Sequence, residues 1–100
     1  MDIEEQWIED VLALSIGART NVGVSDSEVA SAIGSTEALS KKYKGKDFLP
    51  MDVVNVLIDL QSGLISSGVR HREEFQNEAM AKKIFEVALR LSDIARDMTG

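Results

Sequence analysis

The chain has 100 residues, a formal net charge of −6 and an apolar fraction of 44%, the size and make-up of one small folded domain, 1–100. It has no cysteine, which excludes disulfides, thiolate chemistry and the usual structural zinc sites. The excess of acid makes it a poor general ligand for nucleic acid, and no apolar run reaches the ~20 residues that cross a bilayer.

The first ten residues, MDIEEQWIED, are acidic where a secretory leader would be basic and then apolar. The expected location is therefore the cytoplasm. Ile3, Trp7, Val11 and Leu14 recur at helical spacing, with Ile8, Leu12 and Ile16 beside them. This predicts an amphipathic helix over Asp2–Ile16, with Gly17 as its stop. Asp2, Glu4 and Glu5 crowd its first turns, where the helix dipole favours acids. Trp7 is its largest apolar residue and the anchor expected to hold it to the body.

Residues 17–23, GARTNVG, read as a loop without a phosphate-binding glycine pattern. Ser25 and Glu28 have the spacing of a capping box. A short helix follows, with Val29, Ala30 and Ile33 toward the core and Gly34 at its end. Ser35 or Thr36 then caps a second short helix carrying Leu39 and Tyr43, which Gly45 ends. Val29, Ala30, Ile33, Gly34 and Tyr43 resemble the spacing of a helix-turn-helix unit, with Ser35 and Ser40 standing where that motif has apolar residues. The resemblance implies a DNA contact through Lys41, Lys42, Lys44 and Lys46 at the end of the second helix. Without it, these lysines are a solvated helix end favoured by the dipole.

Pro50–Ser67 is the most apolar stretch. Asp52, Asn55, Asp59, Ser62 and Ser66 draw one narrow polar stripe at helical spacing, and nearly everything beside it is apolar. Its β-branched run, Val53–Ile58, would suit a strand, but the apolar residues do not alternate and the pattern outruns a strand. Gly68 reads as the stop and Gly68–Arg72 as a brief connection. His71, between two arginines, reads as a solvated loop residue. A long helix follows over Glu73–Met98. Its Met80, Ile84, Val87, Leu91, Ile94 and Met98 alternate four and three apart, the spacing of a heptad seam. Glu78–Lys82 and Glu86–Arg90 are expected as i,i+4 ion pairs on its surface. Thr99 and Gly100 are expected to form a loose end.

The expected fold is all-α, a small helical bundle. The N-terminal helix and the two short helices pack on a long antiparallel hairpin of Pro50–Ser67 with Glu73–Met98. A lone histidine between like charges, and carboxylates on exposed faces, supply no acid–base pair. No His/Asp/Glu group has ligand spacing, so no enzyme, cofactor or metal site is expected. The two apolar rods exceed what so short a chain readily covers. The expected function is therefore a small acidic adaptor or regulatory module that works by protein–protein contact as a homo-oligomer, most simply a homodimer. Its expected interface residues are Trp7, Val54, Leu57, Ile58, Ile84, Val87, Leu91 and Ile94. The alternative is a helix-turn-helix-like DNA-binding regulator using residues 26–46. A third reading, a small-ligand binder or enzyme, needs a pocket against the Asp52/Asn55/Asp59 stripe.

Overall fold

A computed structural model describes residues 2–99; Gly100, half of the expected loose end, lies outside them. Four helices make up the described residues: α1 (Ile3–Arg19), α2 (Asp26–Tyr43), α3 (Met51–Glu73) and α4 (Glu78–Thr99). The all-helical class is as expected from the periodicities, and Val53–Ile58 is helical rather than a strand.

Several boundaries differ from the sequence reading, and glycine is the common reason. Gly17, Gly34 and Gly68 all lie inside helices rather than ending them. Thr20 caps α1 instead, its hydroxyl and N–H both donating to the Gly17 carbonyl. The Ser25/Glu28 capping box is formed and starts α2. That helix then runs unbroken through Gly34 to Tyr43, so the two short helices of the sequence reading are one. Ala30 is exposed, and Ala32 takes the core position beside Val29 and Ile33. The turn between α3 and α4 falls at residues 74–77, later than expected, with Gln76 in the left-handed region.

Paired contacts fix how the helices run. Trp7 with Thr36 and Glu4 with Tyr43 make α1 and α2 antiparallel. Val54 beside Met98, Gln61 with Ala88 and Arg72 with Glu78 make α3 and α4 antiparallel. The two hairpins then stack with like directions adjacent. Ser15 lies against Gly63 and Ala18 against His71, so α1 and α3 are parallel. Asp26 with Lys83 and Glu37 with Arg90 make α2 and α4 parallel. Segment 44–50 therefore crosses one end of the bundle, opposite the turns at 20–25 and 74–77.

The core is built from Trp7, Val11 and Leu14 of α1, Ala32 and Leu39 of α2, Val53, Leu60 and Leu64 of α3, and Ile84, Val87, Ala88, Leu91 and Met98 of α4. Gly68 lets the Phe85 ring lie on the α3 backbone, since a Cβ there would stand 2.5 Å from it. The heptad seam of α4 faces inward along its length. The expected surface pairs do not form: Glu78 goes to Arg72, and Arg90 reaches Glu37 across the α2–α4 boundary.

Candidate functional site

Two features of the interior bear on chemistry. The Trp7 indole N–H donates to Thr36 Oγ1 at 3.0 Å, and that hydroxyl donates in turn to the Ala32 carbonyl. A buried tryptophan thus has its one polar atom satisfied. His71 is fully buried, not the solvated loop residue its two arginine neighbours suggest. It lies in the last turn of α3, where a helical rise turns Arg70 and Arg72 outward while His71 faces α1. Its Nε2–H donates to the Ala18 carbonyl at 2.9 Å. That carbonyl belongs to the last turn of α1, which has no helical donor to spare for it. His71 therefore caps α1 from another helix. Its ring also meets Phe75 edge-on, with centroids 5.0 Å apart. Among the described residues its Nδ1 is the only buried side-chain nitrogen or oxygen without a hydrogen-bond partner. Its hydrogen bond and its ring contact both tie one helix to another part of the fold. Among the described residues no three of His, Asp or Glu are placed to hold a metal ion, and no helix is long and apolar enough to cross a membrane.

The polar stripe of α3, Asp52, Asn55, Asp59, Ser62 and Ser66, is exposed throughout. Asp59 borders a shallow groove of about 210 Å³ shared with Ile8, Leu12 and Arg19 of α1.

Lys41, Lys44 and Lys46 are exposed at the end of α2 and in the segment after it. Lys42 is tied to Glu4, which also accepts from the Tyr43 hydroxyl at 2.7 Å. The Lys42 ammonium, and then the Tyr43 hydroxyl, pull the Glu4 carboxyl down to about 2. Of the four lysines, Lys42 sits next to acid. Because α2 does not turn at Gly34, the recognition helix that a helix-turn-helix would present is not formed. Ser35, at the supposed turn, instead donates to Asp10 of α1.

The expected interface residues divide. Trp7, Ile84, Val87, Leu91 and Ile94 are buried by this chain's own helices. One hundred residues suffice to cover the α4 seam, because α2 and α3 flank it on both sides. Val54 and Leu57 are half-buried, and Ile58 is 61% exposed.

Ile58 belongs to a line that the sequence reading missed. On the outer face of α3 stand Met51, Asn55, Ile58, Ser62, Ile65 and Val69, spaced four, three, four, three and four apart. All six are exposed, with Met51 at 72%, Ile65 at 50% and Val69 at 46%. This is a second heptad seam, uncharged along its length. Leu89 of α4 is 61% exposed. The Gln61 amide donates to the Ala88 carbonyl and sets Leu89 near the level of residues 60–62. On α1 a second ladder, Ile8, Leu12 and Ile16, repeats every four residues and is also exposed. The α3 spacing was present in the sequence. Asn55 and Ser62 also fall on the polar stripe, and a stop at Gly68 would leave Val69 outside the helix, which is why the line is hard to see in the sequence.

No protein-family model, curated protein or solved structure matches this chain. Its class rests on its own geometry: a four-helix bundle of two stacked hairpins, sealed inside and apolar along two outer lines.

Proposed function

We propose that the protein is a small acidic recognition module, an adaptor or regulator that acts by helix-to-helix contact and self-associates, rather than by chemistry in a pocket. One observation carries this reading. After the core is filled, the outer face of α3 still holds a periodic seam with Met51, Ile58, Ile65 and Val69 exposed. Single exposed apolar residues are ordinary on a protein surface. A periodic line of them along a whole helix is the pattern of an interaction face. The chain has no cysteine and so suits a reducing compartment, and the cytoplasm is its proposed workplace.

The test is solution mass by sedimentation equilibrium over a wide concentration series. The expected result is a weight-average mass that rises above the 11.0 kDa monomer. Ile58→Glu should return it to the monomer while leaving the helical circular dichroism intact, because Ile58 is outside the core. A constant monomer mass at every concentration would defeat the self-association reading.

A further inference from the structure

We infer that the groove between α1 and α3 receives an amphipathic helix of a partner protein, laid antiparallel to both and carrying Lys or Arg in its C-terminal half. The inference rests on the reading of the protein as a helix-recognition module. It adds a second surface, apart from the outer seam of α3, and the chemistry of its partner.

Shape supplies the first argument. The residues that meet between α1 and α3 are small: a Cβ placed on Gly63 would find only Ser15 Oγ, at 4.0 Å. Small residues at that contact leave the notch outside it open. Val11 and Leu60, both buried, form its floor, and Ile8 and Leu12, 44% and 54% exposed, stand on its α1 side. Its volume of about 210 Å³ is below the roughly 300–1,000 Å³ of small-molecule sites. The notch admits side chains rather than a whole ligand. Its occupant therefore lies along the groove and inserts a few apolar residues, as an amphipathic helix does.

Charge supplies the second argument. Glu5, Ile8, Leu12, Ser15 and Arg19 are spaced three, four, three and four apart, one side of α1. On α3, Asp52 stands seven residues, about two turns, before Asp59 on the same side. With α1 and α3 parallel and Ser15 beside Gly63, Glu5 falls near the level of Asp52 and Arg19 near that of Ser67. The groove is thus acidic toward one end and closes on an arginine at the other. All four charged residues are exposed. Among the described residues none of the four is in an ion pair. Glu4 and Arg70, at the same two ends, are already tied to Lys42 and Glu74. Repulsion from Asp2 raises the Glu5 carboxyl above its ordinary value, and a cation set there relieves it.

Helix direction supplies the third. The N-termini of α1 and α3, the positive ends of their dipoles, lie at the acidic end of the groove. A partner helix favours Lys and Arg in its own last turns and Asp and Glu in its first. Only an antiparallel helix sets basic last turns over Glu5, Asp52 and Asp59 and an acidic first turn near Arg19. Its dipole then opposes the two beneath it. A parallel helix would need its cations where its own dipole disfavours them. Glu5 and Arg19 are 14 residues apart, so a partner segment of about four turns covers the groove.

Two labelled synthetic peptides of about four turns test this. Both have one composition, a leucine face, and the same side-chain staple locking them as helices. One carries Glu in its first turn and Lys in its last two, and the other has these charges exchanged end for end. Fluorescence anisotropy against the full chain should show the peptide with C-terminal lysines bound about tenfold more tightly. Leu12→Glu, and Asp52→Lys combined with Asp59→Lys, should each weaken its binding by about tenfold. Ile58→Glu, on the outer seam, should leave it unchanged, with circular dichroism confirming that every variant is folded. Binding of neither peptide, equal binding of both, or binding lost with Ile58→Glu but not with Leu12→Glu overturns the inference. So does a sedimentation series in which Leu12→Glu, and not Ile58→Glu, returns the chain to the monomer, because a second copy then fills the groove. A parent that self-associates and binds neither peptide sinks this inference alone. A constant monomer mass with the lysine-ended peptide bound sinks self-association alone.

Discussion

Trp7 and Thr36 show how one hydrogen bond can fix a hairpin. The indole N–H has a partner only because Thr36 Oγ1 sits one helix away, and that hydroxyl is itself engaged with Ala32. Thr36→Val keeps the shape and strands a buried donor. The expected loss is about 1–3 kcal/mol, measured by urea denaturation followed through the single tryptophan. His71 plays the same part between hairpins. His71→Leu keeps apolar volume but leaves the Ala18 carbonyl without its donor, for a loss of about 1–3 kcal/mol by the same measurement. Were His71 the exposed loop residue that its neighbours suggest, the substitution would change stability by less than about 0.5 kcal/mol.

At the scale of the helix, Gly34 distinguishes one continuous α2 from two short helices. It is exposed, its φ is not positive, and a Cβ there would meet nothing within 4 Å. Gly34→Ala should therefore stabilise the protein by about 0.5–1 kcal/mol, through helix propensity and a less flexible unfolded chain. A glycine turn at this position would make the same change destabilising, and thermal denaturation decides the sign. The ends of α1 and α2 carry a pH signature. Lys42 and Tyr43 hold the Glu4 carboxyl at about 2, against an ordinary 4.5. A depressed folded value means that the stabilisation is fully present above about 4.5 and is lost as the pH falls through about 2. Glu4→Gln should be less stable than the parent near neutral pH, and the gap should close over that acid range in a series of urea titrations.

The sequence made the helices legible because their periodicities are long: the inward seam of α4, the Trp7 face of α1 and the Ser25/Glu28 capping box all form as spaced. What misled was treating glycine as punctuation. A glycine inside a helix costs only about 1 kcal/mol, which tertiary packing easily offsets. Gly17 and Gly68 lie where a neighbour comes close, Glu28 and the Phe85 ring respectively. The true stops, Thr20 and the turn before Asn77, carry weaker signals. The burial of His71 depends on α1 lying parallel to α3, a long-range fact that no local window contains. The same holds for which of two apolar seams faces inward.

Across the whole molecule, the inner and outer seams divide the work of one apolar composition. The α4 seam is consumed in holding two hairpins together, and the α3 seam is left outside. Because segment 44–50 crosses the end of the bundle, each hairpin is complete in sequence before the other begins. Contacts inside a hairpin close short loops, whereas the Ala18–His71 bond joins residues 53 positions apart. Loop-closure entropy then sets an order of events: the hairpins form early, and their docking is the late step of folding. Stopped-flow kinetics should show Thr36→Val chiefly slowing refolding and His71→Leu chiefly speeding unfolding. The reverse pattern would mean that the two halves meet before either is made.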